Sequence, residues 1–470
     1  MDRESAVAGR FYPATATEIE SSLEELFSKA KERRGSDVRA LIAPHAGYLF
    51  SGKVAASAYN QIERGGVFER VFVLSSAHSH HFRGASLYSA GNYIMPYGEV
   101  EVDRGLANLL HREYPHLFST NPKDHKGDHT IEVQLPFLHR HLAKGWLLVP
   151  ILLGEVSLGE IEQVAKALHP YFNSENLFVI SSDLSHYPLY QDANRVDIET
   201  LDSIVSNDIE NFLLTLDGYS KRGVENLQTP ICGRDALLTL MTLTANNPFY
   251  SYTKVDYENS GDHPQYGQKE SVVGYGAITI SYWGELLFKI AHHTIANAIE
   301  SEELHPSPSL VESWVNSYIE EEGVEEVPLV VKEKLGVFVT LKIEGTLRGC
   351  VGFTQSNTPL YIEVANAALL AAFGDWRFPK LSKEELPQIE IEISVLSPMK
   401  KIESVNEIEL GRDGILIKGE GRSGLFLPQV AIETGWSVEE FLGHCSRDKA
   451  GLGWEGWKKG ELFTFTVTII

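Results

Sequence analysis

Three short apolar runs, each ending in a histidine or a carboxylate, constrain this chain more than any other feature. Arg39–Pro44 (RALIAP) leads into His45 within APHAGY, and Val71–Ala77 (VFVLSSA) leads into His78. Leu177–Ser182 (LFVISS) leads into Asp183, with His186 three residues on. Continuous apolar runs of this length belong to strands buried on both faces, the habit of parallel sheets covered by helices. Trp146–Leu153 (WLLVPILL) has the same character. Amphipathic helical patterns at Ala16–Lys31, Leu158–Leu168 and Asp235–Ala245 lie between or beside these runs, so the first part of the chain reads as α/β.

Ligands of open α/β sheets bind beyond the carboxyl ends of the strands. If the runs are parallel neighbours, His45, His78, Asp183 and His186 converge on one rim. Two imidazoles and a carboxylate together suit a divalent iron, zinc or copper ion. The carboxylate could instead orient a histidine from outside the ligand set. A single histidine after a strand is more often a cap or a surface group, but three strands ending alike favour a site. His111, His116, His139, His141 and His169 have no such placement and read as solvated or packing residues.

Two further features belong to this part. Cys232, in TPICGRDALLTL, stands just before a helical stretch, where a thiol has a lowered pKa and binds metals or reacts as thiolate; the alternative is a buried cysteine acting as a small hydrophobe. His129 and Glu132 (HTIE) are three apart, so a helix would place them on one face, to move protons beside a metal or to form a local pair.

The chain carries two compositions. Up to Gly284 it holds thirteen of seventeen histidines but only Trp146 and Trp283 of seven tryptophans. His292, His293, His305 and His444 follow, with five tryptophans, so imidazole chemistry belongs to the first part. His305–Ser309 (HPSPS) is the most linker-like run, yet Glu285–Glu300 reads as an amphipathic helix that opens a second domain. The boundary is therefore placed near Tyr282–Gly284, giving domains 1–283 and 284–470. The second part shows alternating strands at Val337–Ile343, Ile389–Leu396, Ile415–Ile417 and Leu462–Ile469 and a helix at Leu360–Phe373, and reads as α+β. Gly349 and Gly352 around Cys350 suggest a tight turn after a strand, with Cys350 in the core. Arg348 and Arg377 are candidates for anion or partner binding, weighed against structural ion pairs.

A net charge of −23 argues against nucleic-acid and anionic-membrane partners. Three cysteines in 470 residues are no disulfide framework and fit a reducing cytoplasm. No run approaches the roughly 20 apolar residues of a membrane helix.

Five ordered blocks carry a resemblance: AGRFYP at Ala8–Pro13, APHAGY at Ala43–Tyr48, DHTIEVQLPFL at Asp128–Leu138, SSDLSHY at Ser181–Tyr187 and TPICGRDAL at Thr229–Leu237. Together they resemble the Memo family, whose fold is similar to that of class III non-haem-iron extradiol dioxygenases. The resemblance implies His45, His78 and Cys232 as metal ligands, with Asp183 and His186 at the same site. The family's Ser-His-His appears here as Ala77-His78-Ser79-His80-His81, so ungapped matching selects His78, with His80 as the alternative if the loop shifts. Cys232 takes the place of the dioxygenases' carboxylate, which changes metal preference and redox potential. LRGCVG at Leu347–Gly352, DWRFPKL at Asp375–Leu381, LPQVAIETGW at Leu427–Trp436 and HCSRDKAGL at His444–Leu452 resemble the AMMECR family. A fusion of the two implies the AmmeMemoRadiSam grouping, with a radical S-adenosylmethionine enzyme as a separate chain, because Cys232, Cys350 and Cys445 are too scattered to hold a cluster.

The expectation is a cytoplasmic non-haem iron, alternatively copper, protein with redox or modifying activity on a small molecule or peptide and no nucleotide cofactor. In it Asp183, His186, His129 and Glu132 manage protons. A non-catalytic module binding peptide or small acid, and a metal carrier, are the alternatives.

Overall fold

The computed structural model describes residues 1–33, 37–245, 247–301, 303, 306–321 and 328–470. His305, the first residue of the HPSPS run, lies outside them. The chain divides into two compact units, Met1–Tyr282 and Trp283–Ile470.

The first unit is built on an eight-stranded sheet. Its centre holds Val38–Ala43, Asn176–Ser181, Arg70–Ser76 and Leu147–Leu153, side by side in that order and all parallel. Gly274–Tyr282 and then Tyr250–Asn259 extend it antiparallel on one side, and Ala85–Leu87 and Phe118–Ser119 complete the other. The apolar runs are continuous because each strand feeds two cores. Ala40, Ile42, Phe72, Leu74, Phe178 and Ile180 pack with the helices Leu158–Leu168 and Arg234–Thr244. Leu41, Ala43, Val71, Val73, Leu177 and Val179 pack on the opposite face with Tyr48–Tyr59 and Leu135–His141. Side chains alternate across a strand, so helices on both faces require apolar residues at every position.

The register sets the site. Ala43 is opposite Ser181, and Ser181 ends one residue beyond Ile180, which faces Leu74. The strands therefore stop at nearly one level. His45, Asp183 and His78 each stand two residues past a strand end.

In the second unit, Thr346–Phe353, Val337–Ile343, Ile389–Leu396 and Val467–Ile469 form an antiparallel sheet in that order. The helices Gly284–Glu300 and Leu360–Phe373 pack with it. A second sheet joins Lys400–Ile402, Glu461–Phe465, Gly414–Gly419 and Arg422–Phe426. The run expected as one strand, Leu462–Ile469, is thus two strands in different sheets. At Thr466, between them, the backbone exchanges bonds with Ser397 instead of continuing either ladder.

The turn expected at Gly349 and Gly352 is also corrected. Both lie inside the strand Thr346–Phe353. A Cβ on Gly349 would come 2.1 Å from the carbonyl oxygen of Ala371, so this glycine lets the Leu360–Phe373 helix lie directly on the strand. Cys350 is half-buried instead of being core, and its Sγ accepts a hydrogen bond from Thr340 Oγ1 at 3.3 Å. The strand is at the sheet's edge, and Cys350 there finds side chains where a neighbouring strand would be. Its N–H donates to Asp375 Oδ2 (2.9 Å), and its carbonyl accepts from Arg377 Nη2 (3.1 Å). Arg377 also pairs with Asp375 at 2.6 Å. Arg348 pairs with Glu385 at 2.8 Å and donates to the carbonyls of Pro379 and Lys380. The structure places both arginines in intramolecular ion pairs.

Candidate metal centre

His45, His78 and Cys232 come together at the rim of the first unit, with their ligating atoms all within 4.8 Å of one another. Among the described residues this is the one such convergence of His, Cys, Asp and Glu. His45 is buried, Cys232 half-buried and His78 exposed, so the group runs from the interior to the surface. Cys232 Sγ lies 3.2 Å from His45 Nε2. His80 and His81 are exposed on the loop beyond and are not part of this group.

Two carboxylates hold the ligand backbones in the same way. Asp183 Oδ1 accepts the N–H of His45 (2.8 Å) and of Ala46 (3.3 Å). Asp128 Oδ2 accepts the N–H of His78 (2.8 Å) and of Ser79 (3.3 Å). Asp128 Oδ1 takes the N–H and hydroxyl of Thr130. Sequence reasoning gave Asp128 no role, although Asp-x-Thr is the spacing of a turn closed by an aspartate side chain, which is what forms here.

Burial governs the charges. It drives His45 well below the ordinary histidine range, helped by the neighbouring imidazoles of His78, His129 and His186. It lowers His129 and His186 too, disfavouring their charged forms. It raises the Asp183 carboxyl to about 7 against the pull of the His45 and Ala46 amides. The Cys232 thiol is likewise driven up, first by burial and then by Asp183, which corrects the lowered pKa expected from its place before a helix. The helix does start at Arg234, but the Gly233 N–H donates to Ser182 Oγ and not to the thiol.

The other expected residues separate. Asp183 Oδ2 lies 3.9 Å from His45 Nε2. His129 packs against both histidines, with ring centroids 5.6 Å from His45 and 5.8 Å from His78, and Phe11 covers it at 4.8 Å. His186 turns its Nδ1 to the Leu184 carbonyl at 2.9 Å. Its neighbour Tyr187 has φ +71°, a left-handed conformation that bulky residues seldom adopt, and presents an exposed ring 5.6 Å from the imidazole.

Glu132 is not available to His129 for proton transfer, although the chain already turns there, with the Val133 N–H donating to the His129 carbonyl at 3.1 Å. Its carboxylate is spent on the N-terminal segment. Oε2 accepts from Arg3 Nη1 (2.8 Å) and the Ala6 N–H (2.8 Å). Oε1 accepts from the Val7 N–H (3.0 Å) and the Tyr12 hydroxyl (2.8 Å).

A family model described as Memo-like protein matches residues 3–279, and one described as AMMECR1 matches residues 288–470. A MEMO1 family protein of Aeropyrum pernix is 32% identical over 294 residues, covering 59% of this chain and 99% of its own length. A MEMO1 family protein of Methanosarcina mazei is 30% identical over 281 residues, covering 59% and 98%. On the C-terminal side, Protein MK0488 of Methanopyrus kandleri is 40% identical over 187 residues, covering 37% of this chain and 80% of its own. This chain belongs to the Memo family and carries an AMMECR1 domain fused behind its Memo domain.

Proposed function

We propose that the Memo domain is a non-haem metal enzyme, with iron as its ion and copper as the alternative, performing a redox or modifying step on a small molecule or peptide. The observation that carries this reading is the meeting of two imidazoles and a thiol within 4.8 Å at the carboxyl end of a parallel sheet. The donor set fits such an ion. One soft sulfur and two imidazoles suit late first-row metals and do not suit magnesium or calcium. Bound there, the ion supplies Lewis-acid and one-electron redox chemistry.

The chain's own residues then have defined tasks. His186 commits Nδ1–H to Leu184 and keeps Nε2 free to accept a proton. Asp183, near 7 and with Oδ2 turned toward His45, holds or gives a proton around neutrality. Phe11 packs edge-on against His129 and holds its ring beside the rim. The separate radical S-adenosylmethionine enzyme is the proposed partner of the fusion. A metal carrier is the second reading, favoured by the exposure of His78, which would let an acceptor reach the ion.

Purification without oxygen, followed by elemental analysis, is expected to find one equivalent of iron or copper per chain. Oxygen admitted together with an oxidisable small molecule or peptide as electron donor should be consumed in turnover, and His186→Gln should slow turnover without changing metal content. Stoichiometric release to an acceptor without oxygen consumption would replace the enzyme by the carrier. Absence of bound metal would remove both.

A further inference from the structure

His45 differs from His78 and His186 in how its ring is held. The Nδ1 atoms of His78 and His186 face the carbonyls of Ser76 (2.8 Å) and Leu184 (2.9 Å). A carbonyl only accepts, so each of these rings carries its proton on Nδ1 and leaves Nε2 bare. His45 Nδ1 instead faces a hydroxyl, Ser181 Oγ, at 3.0 Å. A hydroxyl can donate or accept, and by itself it selects neither tautomer.

The surroundings of Ser181 remove that freedom. Gln134, fully buried, points Nε2 at the Pro44 carbonyl (2.9 Å), which fixes its nitrogen end. The Tyr59 hydroxyl donates to its Oε1 (2.9 Å), consistent with the same orientation. Gln134 Nε2 therefore donates to Ser181 Oγ at 2.8 Å. Ser181 has one hydrogen, and it goes to the Thr130 carbonyl at 2.6 Å, an acceptor that can offer none in return. What remains on Ser181 Oγ is a lone pair facing His45, and only an Nδ1–H can fill it.

We propose that Ser181, braced by Gln134, is a positioning residue that fixes His45 in the Nδ1–H tautomer and so keeps its Nε2 lone pair turned to the cation site. The proposal rests on the metal reading above and adds to it the device that prepares the buried ligand. The other tautomer would put the hydrogen on Nε2, 3.2 Å from Cys232 Sγ, and leave the ring no lone pair to give a cation on that side.

Nitrogen-15 labelling of histidine in the metal-free full chain reads the tautomer directly by NMR. Titration with Co(II), whose thiolate charge-transfer band reports Cys232, reads the ligand set. Wild type is expected to show His45 protonated at Nδ1. Ser181→Ala should move the proton to Nε2 and weaken Co(II) binding roughly 10–100-fold, the usual cost of losing a residue that orients a metal ligand. Gln134→Met, which frees the Ser181 hydroxyl to turn, should give a mixture of tautomers and a smaller loss. A role in stability alone would lower the melting temperature of both variants and leave the tautomer alone. A wild-type His45 protonated at Nε2, or variants that keep Nδ1–H and full Co(II) affinity, would overturn the proposal. If Ser181→Ala does not fold, wild type and Gln134→Met decide it. If wild type gives no thiolate–cobalt band, the metal reading fails, while the NMR result still judges Ser181.

Discussion

Replacing His45 and Cys232 together by alanine is expected to abolish stoichiometric iron or copper binding while the chain remains folded. Two of three donors disappear, so the loss should exceed the roughly 10–100-fold that follows from disturbing residues around a metal site. The fold survives because His45 lies past the end of its strand and Cys232 just before a helix, on loops anchored through the backbone: the N–H groups of His45 and Ala46 reach Asp183 Oδ1, and that of Cys232 the Asp183 carbonyl, whatever the side chain. The affinity of the wild-type site should rise with pH. Cys232 is held protonated by burial, so a cation must displace its proton, and affinity climbs by about tenfold per pH unit for each proton released. Equilibrium dialysis with chelator competition at several pH values measures both effects. A double variant that binds as tightly as wild type would show that the ion is held elsewhere.

Glu132→Ala should instead be a stability variant, costing about 3–5 kcal/mol, the usual result of removing one partner of a buried ion pair. Arg3 is 6% exposed and Glu132 fully buried, so the guanidinium would be left in the interior without its carboxylate. The Tyr12 hydroxyl and the N–H groups of Ala6 and Val7 would lose their acceptor as well. In a unit of this size that corresponds to a fall in melting temperature on the order of 10 °C. Below the transition the variant should still take up metal stoichiometrically. Unchanged thermal unfolding combined with loss of oxygen chemistry would return Glu132 to the reacting groups.

The fate of these two residues shows what the chain discloses in one dimension. His45, His78 and Cys232 follow structural punctuation: two end apolar runs and one precedes a helix. Parallel neighbouring strands ending at one level turn that punctuation into proximity. Glu132 was misread because its partners Arg3, Tyr12, Ala6 and Val7 are more than a hundred residues away. Asp128, Ser181 and Gln134 stand inside recognisable blocks, yet each acts on a residue brought near only by folding. The direction of the Cys232 shift depended on how deeply the thiol is buried, which no neighbour in sequence encodes. In the second unit, the division of Leu462–Ile469 between two sheets had no breaker residue to mark it; Thr466 is as good a strand former as its neighbours.

The Asp375–Arg377 pair has a consequence for how copies of this protein meet. An open sheet edge offers free N–H and C=O groups, and another chain can pair with them. At Cys350 one donor and one acceptor of such an edge are taken by a carboxylate and a guanidinium arranged as an adjoining backbone would be. The pair works as a two-residue stopper against edge-to-edge sheet growth, with the indole of Trp376 standing 91% exposed between its two members. Removing either charge would leave this strand sticky, and the penalty would appear as self-association at high protein concentration even where the monomer is scarcely less stable.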